Sequence, residues 1–248
     1  MSSNVCYSEY DVFAQIYNEE WGQNLSDNAL LSLEKLLIPN LHQGANIFDL
    51  CCGTGQLVKE LLDKGYQVTG LDGSEAMLYF ARQNAPQAQF IRGDARFFEI
   101  STSFDAIIST SAALNHVMEL DELIGVFHKV YTALLPDGKF LFDMNLDERY
   151  RSSLWNTMQG NVTKEYAWAI QQTYFPDEKI GRLESTVFQL VSGIWQRSDS
   201  TWLVRGYLKT EILSALEKVG FKVDSVCDAQ EDFGITGKAG NAYFLCHK

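Results

Sequence analysis

Asp49-Leu50-Cys51-Cys52-Gly53-Thr54-Gly55 stands between a short apolar strand, Asn46 to Leu50, and an amphipathic helix, Thr54 to Lys64, with Leu57, Val58, Leu61 and Leu62 on one face. Glycines at such a corner let the main chain reverse tightly and let a ligand approach the backbone. The helix that follows points unpaired N–H groups at the same spot. A strand, a glycine loop and a helix in this order form the nucleotide-binding corner of an α/β sheet.

Spacing separates the readings of that corner. A dinucleotide fingerprint built on Gly53 and Gly55 needs a third small residue at position 58, and that residue is Val58. The spacing therefore speaks against a nicotinamide-dependent oxidoreductase. A non-catalytic nucleoside-binding protein is a further alternative.

Outward from the loop the same unit recurs. Tyr66–Leu71 reads as a strand, and Ser74 caps a helix over Glu75–Asn84. Ala88–Arg92 and Phe104–Thr110 are further strands; the helix Leu120–Leu134 stops at Pro136-Asp137-Gly138, and Lys139–Met144 is the next strand. After residue 150 the period shortens: 162–175, 182–191 and 194–206 alternate as an antiparallel meander does. A helix over 210–219 and the strands Phe221–Val226 and Asn241–His247 complete the pattern. The predicted fold class is α/β: a Rossmann-like, mostly parallel seven-stranded sheet with helices on both faces and an antiparallel β insertion before the last helix-strand pair.

We expect one domain over 1–248, with a core at about 40–150 and 207–248, an N-terminal helical cap at 7–38 and a β insertion or lid at 151–206. In the cap, Tyr10, Phe13, Ala14 and Tyr17 share a helical face, and a second helix starts behind Ser26-Asp27-Asn28. The insertion is rich in aromatics, among them Trp155, Trp168 and Trp202; these suit a lid over a substrate, a small core or a dimer surface. Arg149, Arg151 and Arg205 are candidate anion contacts beside it.

Charge narrows the partners. The chain of 248 residues carries a net charge of −12, which disfavours nucleic acid and anionic membranes and favours a small partner. No apolar run approaches the ~18–20 residues of a membrane span. The N-terminus has neither the basic start nor the apolar run of a signal peptide. Five cysteines without a CxxC pair and four histidines without HxxxH spacing predict no metal site and a cytoplasmic protein with free thiols. A monomer or a homodimer fits equally well.

Taken together, the motifs resemble those of class I S-adenosylmethionine-dependent methyltransferases of the small-molecule type, whose first motif reads roughly (Asp/Glu)-x-Gly-x-Gly-x-Gly. Asp49 takes the acidic position, Cys51 stands in the first glycine slot, and Gly53 and Gly55 fill the next two. Cysteine tolerates positive φ poorly, so a displaced peptide is expected at 51. The similarity runs motif by motif over about 46–145 and, in pattern only, over 207–248.

The resemblance implies S-adenosylmethionine as cofactor, a small-molecule methyl acceptor, and transfer to nitrogen or oxygen. It places Asp72, 17 residues after Gly55, on the ribose hydroxyls with Gly73 beside it, and Met77 over the adenine. Asp94, followed by Ala95, would take the adenine amino group, and Thr110 would lie where the methionine portion and the acceptor meet. Tyr10-Asp-Val-Phe-Ala-Gln-Ile-Tyr17 is similar to a segment that folds over the cofactor in many such enzymes. Tyr10 and Tyr17 are thus cofactor contacts. Tyr17 and His116 are the catalytic candidates, His116 as a general base or acceptor ligand. Each has a plainer reading: Asp94 as a turn acid, Met77 as core, Tyr17 as helix packing, and His116 or Asn115 as a capping or surface residue. Methyl transfer from a sulfonium is an in-line displacement, so alignment and desolvation matter more than a strong base.

Overall fold

Asn46–Leu50 (β1) is buried from its second residue onward, as a strand covered on both faces by helices must be. The computed structural model describes residues 8–100, 103–153 and 155–248; Cys6 and the expected helical start at residue 7 lie outside them. β1 pairs in parallel with Gln67–Asp72 (β2) on one side and Phe104–Ser109 (β4) on the other. Gln89–Arg92 (β3) extends the sheet beyond β2, and Leu134–Asn145 (β5) beyond β4. Asn241–His247 (β11) and Lys222–Asp228 (β10) add two antiparallel strands, so the seven-stranded order is β3-β2-β1-β4-β5-β11-β10. The mostly parallel sheet read from the sequence is present.

Helices cover both faces. Gly22–Leu36 (α2), Gln56–Asp63 (α3), Glu75–Asn84 (α4) and Ala229–Phe233 (α8) bury Leu33, Leu57, Val58, Leu78 and Ala81 against Ile47, Ile108 and Leu245. On the opposite face Leu120–Ala133 (α5) and Lys209–Val219 (α7) bury Val126, Phe127, Ile212 and Leu216 against Phe140, Phe142 and Phe244. Each such side chain, fully removed from water, stabilises the fold by about 1.5–3 kcal/mol. Val58, the residue that breaks the dinucleotide pattern, is wholly buried in the first of these cores.

Three sequence expectations are corrected. Ser26 does not cap a second helix: a 3-10 turn over Asp11–Phe13, then Ala14–Ile16 (α1), a π turn over Tyr17–Trp21 and α2 run on without a break, and Ser26 is buried inside α2. At Gly22, the first residue of α2, a methyl group would stand 2.4 Å from the Gln56 side-chain amide, which would have to move. Gln56 donates past it to the Asn18 side-chain oxygen, at 2.9 Å. The expected break at Pro136-Asp137-Gly138 lies inside β5, where Asp137 takes φ 62°. The insertion has four strands rather than three. Met158–Val162 (β6), Tyr166–Phe175 (β7), Ile180–Val191 (β8) and Ile194–Arg205 (β9) form a separate antiparallel sheet in that order, entered through the short helix Asp147–Arg151 (α6).

One face of the insertion sheet packs on the N-terminal segment. Trp168, Ile170, Val187 and Trp202 bury Phe13 and Ile16, with Trp21 edge-on to Trp168 at 5.2 Å. The two excursions from the α/β core thus share an aromatic core. They meet above the carboxyl ends of β1 and β4, where the strand order reverses and open α/β sheets bind ligands.

Candidate active site

Beyond β1 the chain turns sharply, and Cys51 adopts φ 69°. The cysteine in the first glycine slot therefore takes the left-handed conformation itself. Two hydrogen bonds hold it there: the N–H groups of Cys51 and Cys52 both donate to the Leu71 carbonyl, at 2.8 and 2.9 Å. Gly53 N–H donates to Asp72 Oδ2 at 2.8 Å, and Ser74 N–H donates to Asp72 Oδ1 at 2.9 Å. The Asp72 carboxylate is clamped by main-chain donors, with Gly73 adding to Gly53 and Ser74.

A cleft of about 1420 Å³ opens over this turn. Tyr10, Tyr17, Asp49, Cys51, Gly53, Asp72, Gly73, Met77, Asp94, Ala95, Thr110 and His116, all singled out from the sequence, line it. Gly55 does not: at φ 80° it faces α4, where a methyl group would stand 2.9 Å from Ala81 Cα. Its role is close helix packing. Asp11 Oδ1 accepts from Ser74 Oγ at 2.5 Å and from Ala76 N–H at 3.3 Å, tying the N-terminal segment to the first turn of α4. This anchor brings the Tyr17 ring over the loop, 3.6 Å from where a side chain on Gly53 would begin.

The floor beside β1–β3 is acidic. Asp49 is 2% exposed, and its Oδ1 has no hydrogen-bond partner. Burial, with the Asp72 charge nearby, raises its carboxyl to about 7. Burial also raises Asp72, against the N–H donors of Ser74, Gly53 and Gly73 that favour its ionised form. Burial acts in the same sense on Asp94, but Arg96, which donates to it at 2.7 Å, prevails and holds that carboxyl below its ordinary value.

Opposite the carboxylates, His116 Nδ1 lies 3.0 Å from the Leu203 carbonyl and Nε2 lies 2.9 Å from Tyr10 Oη. A carbonyl can only accept, so the network assigns the imidazole proton to Nδ1 and leaves Nε2 to accept from the Tyr10 hydroxyl. Burial lowers the His116 pKa, with the Leu203 bond opposing it, so the ring is neutral at pH 7. Tyr10 stacks on Trp202 at 4.7 Å between ring centres.

The family model of the methyltransferase domain matches residues 47–138. The putative methyltransferase YqeM of Bacillus subtilis (strain 168) is 27% identical over 248 residues, 96% of this chain and 97% of its own length. An S-adenosylmethionine-dependent methyltransferase from Clostridium acetobutylicum shares the fold at a TM-score of 0.78 and 20% identity, over 97% of this chain and 99% of that one. Residues 47–138 thus match the methyltransferase domain, and the chain as a whole is similar in sequence to a methyltransferase and has the fold of an S-adenosylmethionine-dependent one. The chain is also similar, at 29% identity over 129 residues, to the dTDP-3-amino-3,6-dideoxy-alpha-D-glucopyranose N,N-dimethyltransferase of Streptomyces fradiae, over 52% of this chain and 49% of that one.

The cleft fits S-adenosylmethionine. S-adenosylmethionine carries a sulfonium and an ammonium, and the Asp49 oxygen without a partner is a buried carboxylate oxygen of the kind a cation satisfies. The Asp72 carboxylate, at the end of β2 and lining the cleft, is the kind of acceptor a ribose diol needs. Among the described residues no group of three or more His, Cys, Asp or Glu could hold a metal ion. No helix of the described residues is long and apolar enough to cross a membrane.

Three candidates take structural places instead. Asn115 is buried and staples the end of β5: it accepts from Asn145 N–H and donates to the Asn145 and Arg205 carbonyls. Arg151 pairs with Asp147 at 2.5 Å, and Arg205 donates to the Met118 carbonyl at 3.1 Å. Of the three arginines considered as anion contacts, Arg149 lines the methyltransferase cleft. Sequence reasoning passed over Trp21 and Lys238, which also line it. Trp21 had a signal, since it extends the aromatic face of Phe13 and Tyr17 by one further turn. Lys238 had none.

Proposed function

We propose that this methyltransferase transfers the methyl group to a nitrogen of a small molecule, with Tyr10 and His116 receiving the proton that the nitrogen gives up. The observation that carries the reading is the Tyr10–His116 pair at 2.9 Å, with a neutral imidazole whose Nδ1–H is already committed. When bound, S-adenosylmethionine supplies the electrophilic methyl group. Asp72 would hold the ribose, Asp94 and Met77 the adenine, and Asp49 and Tyr17 the amino-acid tail; Thr110 would mark the start of the acceptor space. The Tyr10 oxygen accepts the acceptor's N–H proton while its own hydroxyl proton passes to His116 Nε2. The resulting imidazolium keeps its bond to the Leu203 carbonyl. A buried imidazole with a lowered pKa is a weak base: it suits an amine and is poorly matched to an aliphatic hydroxyl. The N-directed Streptomyces fradiae relative supports the same choice.

The test is transfer of labelled methyl to a panel of amino sugars, free and nucleotide-linked, set beside their hydroxyl counterparts. Label on the amines alone is expected; label on the hydroxyl compounds alone overturns the reading. His116→Ala should lower kcat by about 100-fold at pH 7, with S-adenosylhomocysteine affinity within about twofold, because the imidazole lies on the acceptor side. An unchanged kcat would remove His116 from the proton path.

Asp49 makes cofactor binding depend on pH. Its carboxyl, at about 7 in the free protein, binds a proton more tightly than in the unfolded chain. It therefore lowers the stability of the free protein as pH rises from the unfolded value near 4 to about 7. A cation beside it reverses the preference and favours the carboxylate. Affinity for sinefungin, whose charged amine stands near the sulfonium position, should fall as pH drops from 7 to 5, with proton release on binding. Calorimetry in two buffers of different ionisation heat measures that release, and Asp49→Asn should abolish it.

A further inference from the structure

We propose that Lys238, set beside Arg149, receives an anionic group of the methyl acceptor; this rests on the methyltransferase reading above. Charge in the cleft is divided. Asp49, Asp72 and Asp94 lie at the ends of β1, β2 and β3, and the one cation among them, Arg96, is paired with Asp94 at 2.7 Å and Glu122 at 3.4 Å. On the far side of the cleft, over the ends of β5 and β11, stand Arg149 and Lys238. The sheet order β3-β2-β1-β4-β5-β11 sets them across β4 from the carboxylates, on the acceptor side.

Lys238 is half-buried, and its ammonium makes no hydrogen bond or ion pair among the described residues. Burial, with the Arg149 charge beside it, lowers its pKa, and Asp143 opposes that. Asp143 is its counter-charge, yet no hydrogen bond or ion pair joins the two: Asp143 Oδ2 accepts from Ala112 N–H at 2.9 Å and from Asn241 at 2.6 Å, while its Oδ1 is buried without a hydrogen-bond partner. A partly desolvated ammonium without a partner costs free energy that an incoming anion recovers. Arg149 builds the place. Its Nη1 donates to the carbonyls of Gly237 and Ala239, both at 3.0 Å, the residues on either side of Lys238. Gly240 closes the loop against α6, where a methyl group would meet Arg149 Cβ at 3.0 Å. Arg149 Nε is buried with no partner, a second donor left over. In a protein of net charge −12, two adjacent cations facing the cleft mark a local anion site.

The group is a phosphate or a carboxylate, and probes separate the two. The protein saturated with S-adenosylhomocysteine is titrated calorimetrically with pyrophosphate, with thymidine diphosphate and with tricarballylate. The wild type should bind at least one class, the stronger arm giving the source of the anion. Lys238→Met should weaken that binding by about 10- to 100-fold, with S-adenosylhomocysteine affinity within about twofold, and Lys238→Arg should restore most of it. Three results overturn the proposal: no anion bound by the wild type at low millimolar concentration, equal binding by Lys238→Met and wild type, or an equal loss of S-adenosylhomocysteine binding in Lys238→Met. The last would put the lysine on the cofactor's carboxylate and leave the methyltransferase reading standing. A wild type that fails to bind S-adenosylhomocysteine strikes at that reading instead, and the same titrations on the free protein still decide the anion site.

Discussion

Asp72→Ala should weaken S-adenosylhomocysteine binding by roughly 100- to 10,000-fold. The carboxylate would lose two charge-assisted hydrogen bonds to the ribose diol, each worth about 1.5–3 kcal/mol, and about 1.4 kcal/mol corresponds to a factor of ten. The substitution also strips Gly53 and Ser74 of the acceptor that both N–H groups share, at 2.8 and 2.9 Å. The loop would then lose its preset shape in the free protein. Calorimetric titration measures the affinity, and thermal unfolding shows whether the fold persists. Asp72→Asn keeps an acceptor oxygen and should lie between alanine and wild type. An affinity within threefold of wild type for the alanine variant would take the ribose off Asp72.

Gly55→Ala should lower the melting temperature by roughly 5–15 °C. Left-handed backbone costs an alanine about 1–2 kcal/mol, and overpacking a tight contact costs about 1–3 kcal/mol more. Both apply here, since Gly55 has φ 80° and the added methyl group would stand 2.9 Å from Ala81 Cα and 3.0 Å from its Cβ. In a chain of this size each kcal/mol moves the midpoint by about 2–4 °C. Gly44 is the internal control. It has φ 79° but nothing within 4 Å of the added carbon, so Gly44→Ala should show the backbone cost alone. Equal shifts for the two variants would mean that contact with α4 contributes nothing.

The sheet was legible because its central strands are buried on both faces: Ile47, Phe48 and Leu50 mark an interior strand, and the glycine corner after them is a local signal. The β1–β3 side of the cleft is likewise built from short segments at strand ends, so the strand pattern already set Asp72 and Asp94 at the mouth of the sheet, where both line the cleft. β6 escaped because Met158–Val162 is exposed along its whole length and so shows no alternation. The supposed cap at Ser26 failed because a polar side chain inside a helix looks like a helix start when the preceding π turn is invisible. Lys238 and Arg149 meet across 89 positions of chain, and Tyr10 and His116 across 106. Pairings of that kind are made by the packing of the insertion and the N-terminal segment on the core, and no period or motif in the sequence encodes them. Gly55 teaches the reverse lesson. It was read as ligand approach, and the structure gives the same residue a packing reason.

The most direct test is a crystal structure of the protein with S-adenosylhomocysteine. The account predicts the ribose on Asp72, the adenine between Met77 and Asp94, and the sulfur turned across the cleft toward Tyr10 and His116. A nucleoside bound elsewhere, or bound in the cleft with its sulfur turned away from that pair, would contradict it.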